Sequence, residues 1–429
     1  MAKTAKLILD DKQIELPIIE GTEGEKGIDI SQLRTTTGYI TVDPSLGNTG
    51  TCKSAITYID GEKGILRYRG IPIEDFDREK PNFLEAAWLL IFGRLPKSDE
   101  LARFSREFTD NAHLHEAMRH HFEGFPVDAP PMAILSAMIN TLFCFEPQFF
   151  NLKDMDIFEE AAASLISKIR TIAAYSYRRC SGLPFVYPDP KLRYCANFLH
   201  MMFSMPYNQY IIEPEIEDAL NLILILHADH EQNCSTSTVR MVGSSHANLY
   251  ASCAAGVCAL WGPLHGGANV EVLEMLTKIH QGHLTAQDCI KLAKDKSSGF
   301  KLFGFGHRVY KHFDPRATIL KKTSDRVLKK LGKKDPLLDI AMKLEELTLK
   351  DPYFIDRKLY PNVDFYSGII LRAMGIPLNM FTVLFAIGRL PGWIAQWKEQ
   401  HDDPMTRITR PRQIYIGNIK NKYIPIEKR

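Results

Sequence analysis

The chain has little of what marks several large classes of protein. Its formal net charge is only +2 over 429 residues, which argues against a general nucleic-acid binder. Its eight cysteines include no CxxC pair, so we expect reduced thiols rather than a disulfide framework or a zinc ribbon. The N-terminus has no apolar core of signal-peptide length, and the longest apolar stretches, 250–264 and 373–388, are shorter than the roughly 20 residues of a membrane span. We therefore expect a cytoplasmic protein with no membrane and no nucleic acid as partner.

What the sequence does contain is a long series of helical patterns after a short β-rich start. Apolar and polar residues alternate over 6–9 and 13–16, a short run follows at 39–42, and 56–59 and 65–68 flank a turn, which predicts strands and a hairpin. From about Pro81 the apolar period becomes helical. Helices are expected near 84–91, 112–123, 130–144, 155–179, 191–204, 214–229, 248–260, 270–280, 316–331, 336–349, 364–373 and 380–398. The predicted fold class is mainly α, with a small β-containing N-terminal segment.

Three segments place titratable side chains among glycines, prolines and short polar residues. They are 262–269 with His265, 304–316 with His307 and Arg316, and 361–368 with Asp364. Gly and Pro fix the backbone and let a ligand come close, so such segments suit functional loops. Two histidines and one carboxylate are the groups that acid–base chemistry at carbon requires.

His265 and Asp364 each have a structural and a catalytic interpretation. Gly262-Pro263 and Gly266-Gly267 around His265 are typical of the approach to a helix N-terminus, which would keep the imidazole neutral and able to donate to a carbonyl oxygen. Asp364 lies among Tyr360, Phe365 and Tyr366, and apolar packing would raise its pKa and improve it as a base. A turn histidine and a helix-capping aspartate are the structural alternatives.

Several further polar residues suit the binding of anions. Arg316 follows Asp314-Pro315 at a predicted helix start, where a guanidinium can bind a carboxylate with two hydrogen bonds. Arg389 lies within an apolar helix, where an arginine is usually paired with an anion. His227 and His230 have the i, i+3 spacing of metal ligands, but no further pair completes a zinc site. No metal is therefore expected, and we favour a contact from His230 to an anionic ligand.

Positive charge is concentrated in residues 291–334, which hold fourteen Lys and Arg against three Asp. A solvated helix face is one interpretation of this stretch. A site for a polyphosphorylated small molecule is the other, because His307 and Arg316 lie inside it.

Taken together, these segments closely resemble the citrate synthase family. The resemblance runs through HADHEQN (227–233), WGPLHGGAN (261–269), FGHRVYKHFDPRA (305–317), LYPNVDFYSG (359–368), and IGRLPGWIAQW with RPRQIY (387–397 and 410–415). The residues of the HADHEQN segment and the short β-rich start look most like those of the Gram-negative, hexameric subgroup. The resemblance implies an acyltransferase that condenses acetyl-CoA with oxaloacetate and water, giving citrate and CoA at the entry step of the tricarboxylic acid cycle.

The resemblance also implies a role for each residue singled out above. Asp364 would take a proton from the thioester methyl group, His265 would hold the enol or enolate oxygen, and His307 would protonate the oxaloacetate carbonyl. Oxaloacetate and citrate carboxylates would be bound by four residues: His230, Arg316, Arg389 and Arg410. Arg410 would come from the neighbouring subunit of a homodimer, and the resemblance to the hexameric subgroup implies a hexamer as the larger assembly. CoA would bind within 291–316 as a co-substrate, and no tightly bound cofactor is implied.

The family fold implies two helical domains beside the β-rich segment 1–70. A small domain, 270–373, would be inserted into a large one formed by 71–269 and 374–429. Closure of the small domain would assemble the site after oxaloacetate binds.

The chain departs from the Gram-negative subgroup where many members bind the inhibitor NADH. Asp110 and Ser164 replace basic residues, Tyr207 stands in place of a reactive cysteine, and Lys168 remains. An aspartate facing a pyrophosphate is repulsive, so weak or absent NADH inhibition is expected.

Three other functions remain open from the sequence. A 2-methylcitrate synthase would use the same acid–base set on propionyl-CoA, since one methylene is worth only about 1–3 kcal/mol in a pocket. More remote are a metal-dependent hydrolase built on His227 and His230, and a non-catalytic CoA-binding protein that keeps the fold.

Overall fold

A computed structural model describes residues 3–10, 12–150, 152, 155–282, 284–307, 309–332 and 335–429. The chain divides into two compact units. The first unit comprises Met1–Ser54 with Thr409–Arg429, and the second comprises Ala55–Ile408.

The first unit is built on a three-stranded antiparallel sheet. Its strands are β1 (Thr4–Leu9), β2 (Lys12–Glu20) and β3 (Lys26–Ile28), and the order is β1-β2-β3. A short helix, α1 (Leu33–Thr37), follows. The strand predicted at 39–42 is wrong, because these residues have no regular secondary structure. The C-terminal stretch 409–429 of this unit is exposed throughout.

The second unit begins with the predicted hairpin. Strands β4 (Thr57–Asp60), β5 (Ile65–Tyr68) and β6 (Ile71–Pro72) form an antiparallel sheet in that order. The Asp60 carboxylate accepts hydrogen bonds from the backbone N–H groups of Glu62 at 3.1 Å and Lys63 at 3.0 Å. This Asx-type turn explains why the chain reverses its direction between β4 and β5.

Helices form the rest of the second unit. They are α2 (Ile73–Glu79), α3 (Phe83–Phe92), α4 (Ser98–Asp110), α5 (Met118–Glu123), α6 (Pro131–Leu142), α7 (Met155–Cys180), α8 (Tyr194–Phe203), α9 (Pro214–Leu226), α10 (Cys234–Gly243), α11 (Leu249–Leu260), α12 (Ala268–Gln281), α13 (Ala286–Lys294), α14 (Pro315–Leu331), α15 (Pro336–Lys350), α16 (Pro352–Asp356), α17 (Val363–Ala373) and α18 (Phe381–Asp402). The predicted mainly α fold is confirmed.

The core of this unit is arranged around α7 and α18. Helix α7 packs on α4, α6 and α8, and α18 packs on α3, α9, α10 and α11. Among the described residues, one helical stretch, Leu378–Asp402, is long and apolar enough to cross a membrane by length and composition alone. Its apolar window is 83% buried by other helices, as a core helix would be.

Several helices begin with capping residues of the types that favour a helix start. Asn82 accepts from the backbone N–H of Glu85, and Glu85 reaches back to Asn82, so α3 begins with a complete capping box. Asp314 and Pro315 begin α14, with Asp314 as N-cap and Pro315 as first helical residue. This start fixes the direction in which α14 projects Arg316.

Candidate active site

His265 lies in the turn between α11 and α12, and its ring is held at the start of α10. Its Nε2 is 3.1 Å from the backbone nitrogen of Ser235 and 2.8 Å from the Ser235 hydroxyl. A backbone N–H can only donate, so Nε2 is the acceptor and the neutral ring carries its proton on Nδ1. Burial, together with the charge of Arg389, lowers the pKa of His265 to about 4. The ring is therefore a neutral hydrogen-bond donor at physiological pH.

Ser235 is a residue that the sequence reasoning missed. Its hydroxyl also contacts the Asn233 side chain at 2.8 Å and accepts from the Trp393 indole at 3.3 Å. Asn233 is the N-cap of α10 and accepts from the backbone N–H of Thr236. The available signal was Asn233 followed by Ser and Thr, which is typical of a helix start.

His307 has the opposite ring orientation. Its Nδ1 accepts from the backbone N–H groups of Val309 at 3.0 Å and Tyr310 at 3.3 Å. The neutral ring therefore carries its proton on Nε2. Burial and the charge of Arg316 lower the pKa of His307 to about 4. Arg308, between these residues in the sequence, lies outside the described residues.

His230 lies in the turn after α9 and faces the same cluster. Its ring centroid is 5.5 Å from that of His307, and its Nε2 is 3.2 Å from the Tyr310 hydroxyl. Burial is the largest cause of a pKa well below the usual histidine value, and the charge of Arg316 acts in the same direction. His230 is thus a neutral polar group beside positive charge.

Arg316 is buried with 3% of its surface exposed and pairs with its own helix cap. Its Nε and Nη2 donate to the two carboxylate oxygens of Asp314 at 3.0 and 2.9 Å. Burial alone would lower the pKa of Arg316, but Asp314 raises it above the ordinary value. The guanidinium edge used by Asp314 is thus already engaged, and the remaining N–H groups are those that could meet a ligand.

Arg389 projects from α18 and is also buried. Its Nε donates to the backbone carbonyl of His227 at 2.6 Å. Burial lowers the pKa of Arg389 to about 10, although the carboxylate of Asp229 acts in the other direction. The charge of Arg389 acts on the pKa values of His230, His265 and Asp364, so this guanidinium is near enough to influence the protonation of all three.

Asp364 is the second residue of α17, at the N-terminus of that helix. Burial raises its pKa to about 6, while the charges of Arg316 and Arg389 oppose this shift. The structural role proposed for it as a helix cap falls to Asn362 instead, whose side chain accepts from the backbone N–H of Asp364 at 3.0 Å and of Phe365 at 3.3 Å. The carboxylate of Asp364 is therefore not needed to cap the helix and could contact a substrate.

The strand-like bridge between Phe305 and Pro361 joins the segments of His307 and Asp364. The backbone N–H of Gly306 donates to the Tyr360 carbonyl at 2.7 Å, and that of Asn362 donates to the Gly304 carbonyl at 2.9 Å. The segments of His307 and Asp364, which are 57 residues apart in the sequence, are thus held together by one short piece of backbone pairing.

Three further predictions concern Arg410, a metal ion and the basic stretch 291–334. Arg410 belongs to the first compact unit, where it is exposed in an extended stretch. Among the described residues, no group of three or more His, Cys, Asp or Glu could hold a metal ion. In the basic stretch, Arg326 and Lys330 of α14 pair with Asp77, Glu213 and Glu215, whereas Lys291, Lys296, Lys301 and Lys311 are exposed. Lys333 and Lys334 lie outside the described residues.

The arrangement defines a helical enzyme for acid–base chemistry on an anionic substrate. The family model described as "Citrate synthase, C-terminal domain" matches residues 45–412. Two proteins named "Citrate synthase 1", from the CDC 1551 and H37Rv strains of Mycobacterium tuberculosis, are each 50% identical over 426 residues, covering 99% of this chain and 99% of the relative.

Solved structures give the same result. Citrate synthase from Pyrobaculum aerophilum is 36% identical with a TM-score of 0.82, covering 96% of this chain and 97% of that one. Citrate synthase from Thermoplasma acidophilum, solved as a ternary complex with carboxymethyl coenzyme A and oxaloacetate, is 31% identical with a TM-score of 0.81, covering 90% of this chain and 99% of that one.

The chain therefore belongs to the citrate synthase family. It is an acyltransferase that condenses acetyl-CoA with oxaloacetate and water to give citrate and CoA. The comparisons do not favour the 2-methylcitrate synthase and hydrolase alternatives. Acetyl-CoA acts as co-substrate, and the family needs no tightly bound cofactor.

Proposed function

We propose that Asp364 is the base, His265 the enol(ate) stabiliser and His307 the acid of this condensation. The observation that carries the proposal is the pair of opposite tautomers, together with one carboxyl group of raised pKa that shares the neighbouring charges of Arg316 and Arg389 with the two histidines. His265 offers Nδ1–H and His307 offers Nε2–H, so each neutral ring has one donor for a substrate oxygen. Asp364 supplies the acceptor for the methyl proton.

The chemistry needs both imidazoles as well as the carboxylate. A carboxylate is a weak base for a thioester methyl group, and each pKa unit of mismatch costs about 1.4 kcal/mol. A donor at the enol(ate) oxygen offsets part of this gap. The enol carbon then attacks the ketone carbon of oxaloacetate, His307 gives its Nε2 proton to the carbonyl oxygen, and water hydrolyses the thioester to release citrate and CoA.

The substrates would be held by positive and neutral polar groups. His230, Arg316, Arg389 and Arg410 are proposed to bind the oxaloacetate and citrate carboxylates, with Arg410 supplied by the second chain of a homodimer. The exposed lysines in 291–316 would face the phosphates of CoA. The Thermoplasma acidophilum ternary complex supports this division, because that enzyme holds carboxymethyl coenzyme A and oxaloacetate together.

The domain arrangement is proposed on the same basis. Residues 270–373 would form the small domain, 71–269 and 374–429 the large domain, and 1–70 the β-rich segment. Helices α12, α14 and α15 in the small-domain stretch pack on α17 or on one another. Since His307 and Asp364 both belong to this stretch, its closure would bring acid and base to the substrates together.

A Gram-negative-type subgroup, a hexamer and a cytoplasmic location are also proposed, with weak NADH inhibition. Support for the last comes from Lys168, which is paired at 2.7 Å with the buried carboxylate of Glu146 and bonded at 2.7 Å to the Ser164 hydroxyl. A lysine with its charge already matched is a poor phosphate ligand. NADH inhibition in the low micromolar range would contradict this proposal.

The roles are tested by Asp364→Asn in a thiol-release assay with oxaloacetate and acetyl-CoA. Turnover should fall by about 10³-fold or more, because an amide cannot accept the proton, whereas calorimetric binding of oxaloacetate should remain within about threefold of wild type. Asp325→Asn, at an exposed position on α14, is the matched control and should turn over normally. Normal turnover by Asp364→Asn would remove Asp364 from the role of base.

A further inference from the structure

A cavity separate from the candidate active site lies among α3, α4, α7, α8 and α9. Its volume is about 380 Å³, within the range of small-molecule sites. Its wall is formed by residues within 80–84, 105–113, 188–197 and 217–221, together with Arg170. None of these residues has a part in the acid–base chemistry proposed above.

Arg170 is the unusual group in this wall. Only 2% of its surface is exposed, and its hydrogen bonds go to neutral acceptors, from Nη1 to the Tyr194 carbonyl and from Nη2 to the Ser167 hydroxyl, each at 3.3 Å. Its Nε is buried with no hydrogen-bond partner. Among the described residues, no carboxylate forms an ion pair with it. A buried guanidinium normally has an anionic partner, because an unpaired charge is costly to bury.

Contrast with another buried arginine makes the point sharper. Arg316 lies in the same fold and is equally buried, yet two of its nitrogens are bonded to the carboxylate of Asp314. Arg170 instead has a cavity beside it, with the ring of Tyr194 stacked 4.6 Å from its guanidinium carbon.

The same cavity reaches the N-terminus of α8. This helix of ten residues begins at Tyr194, and its N-cap, Arg193, makes no side-chain capping hydrogen bond. Arg193, Tyr194 and Cys195 all line the cavity. The first N–H groups of a helix and its dipole favour an anion, above all a phosphate. Two independent features, an unpaired buried guanidinium and an uncapped helix start, therefore meet at one cavity.

The remaining walls set the character of the ligand. Lys80 and Lys191 line the cavity and are exposed, while Glu217 is paired with Arg193 at 2.9 Å and Asp218 is the other acid. Counting Arg170, the cations exceed the acids. Phe83, Phe108, Pro188 and Pro190 provide apolar surface, which an inorganic anion would not use.

We propose that this cavity binds a small organic phosphate, with the phosphate between Arg170 and the N-terminus of α8 and the apolar part against Phe83 and Phe108. Phe108, Thr109, Ala112 and His113 of the wall flank Asp110, which the family resemblance associates with NADH, but Asp110, Ser164 and Lys168 do not themselves line the cavity. Its cations include Arg170, Lys191 and Lys80. The site is independent of the catalytic roles proposed above.

The test titrates AMP and inorganic phosphate into the full-length protein, with potassium chloride matching the ionic strength. Saturating oxaloacetate is present throughout, so that the arginines of the active site are occupied. Binding is followed by calorimetry and by the Tm. Wild type should show saturable binding, with AMP at least tenfold tighter than inorganic phosphate because it also contacts the apolar wall.

Three variants make the result specific. Arg170→Gln should weaken AMP binding at least tenfold and Lys191→Gln about threefold, whereas Lys278→Gln, an exposed control on α12, should leave it unchanged. Basal turnover should be unaffected in all three. Unsaturable binding in wild type, or an unchanged Kd in Arg170→Gln, would overturn the proposal. If Arg170→Gln fails to fold, Lys191→Glu replaces it, and unchanged AMP binding by that variant would count against the site equally.

Discussion

The side-chain amide of Asn362 donates to the carbonyl of Gly306 at 2.9 Å, while its oxygen caps the helix that carries Asp364. Asn362 therefore holds both the backbone next to His307, the proposed acid, and the start of the helix that carries Asp364, the proposed base. Gly306 precedes His307, and its φ of +81° is one that glycine adopts at little cost. The relative position of the proposed acid and the proposed base thus depends on a side chain to which no chemical role is assigned.

Asn362→Ala should lower turnover much more than stability. Loss of the cap costs about 1 kcal/mol, and loss of the contact to Gly306 lets the His307 loop shift, so we expect kcat to fall about 10–100-fold. Asn82→Ala is the matched control, because it removes the cap of α3 far from the proposed chemistry. Equal effects of both variants on kcat, measured by thiol release, would contradict the positioning role.

The dependence of kcat/KM for acetyl-CoA on pH should report Asp364. The base must be ionised to accept a proton, and burial raises its pKa to about 6. We therefore expect kcat/KM to fall tenfold per pH unit below about pH 6 and to level off above it. His265 and His307, each with a pKa near 4, stay neutral in this range. A profile flat down to pH 5 would be incompatible with this assignment.

Ser235→Ala tests how His265 is held. The backbone N–H of Ser235 remains after the substitution, so Nε2 keeps one donor but loses the hydroxyl contact. We expect kcat to fall about tenfold with the KM for oxaloacetate nearly unchanged. Ser237→Ala, on the same helix, provides the comparison and should behave as wild type. Steady-state kinetics with both substrates varied would separate the two parameters.

Gly61→Ala should disturb the His307 loop from outside the site. A Cβ at Gly61 would overlap the carbonyl oxygen of Val309, and the Gly61 carbonyl already accepts from the backbone N–H of Lys311 at 2.8 Å. We expect a rise of about tenfold in the KM for oxaloacetate and a lower Tm. Gly50→Ala, where a Cβ would meet nothing within 4 Å, should change neither. An unaltered KM in Gly61→Ala would show that the loop absorbs the added methyl group.

His227 should make the protein sensitive to acid. Burial, with the nearby charge of Arg316, lowers its pKa to about 3 in the folded protein, against about 6.5 when unfolded. The stabilisation is present above pH 6.5 and is lost as pH falls towards 3, because only the unfolded chain then gains the proton. Between pH 7.5 and 5 this group alone should remove about 2 kcal/mol from the free energy of unfolding. Urea titrations of wild type and His227→Gln should differ by that amount in their pH dependence, and parallel curves would exclude the effect.

The sequence predicted the helical fold well where apolar residues recur with a helical period. It missed α10, because the Ser- and Thr-rich segment Cys234–Gly243 has low helix propensity and suggests a loop. Its helical form depends on packing against α11 and α18, which is a tertiary effect. The strand that we wrongly predicted at 39–42 also shows the effect of tertiary context. A β-like local pattern does not form a strand without a neighbouring strand to pair with.

The candidate site could likewise be predicted only in part from the sequence. Titratable residues in unusual glycine and proline surroundings could be picked out individually, and the resemblance grouped them. The tautomers of His265 and His307 could not be predicted, because they depend on backbone N–H groups brought close by folding. Nor could the pairing of Arg316 with Asp314, which decides how much of that guanidinium is left for a substrate.

The buried pair of Glu146 and Lys168 has a consequence for how this enzyme could change over evolutionary time. Turning Lys168 towards a nucleotide requires the loss of Glu146, and either single replacement strands an uncompensated charge at a cost of about 3–5 kcal/mol. That is a large share of the free energy of unfolding of a folded protein, which is typically about 5–15 kcal/mol. Gaining or losing inhibition by NADH would therefore require replacements at Glu146 and Lys168 at nearly the same time. Lineages that carry this pair would tend to keep the same response to NADH.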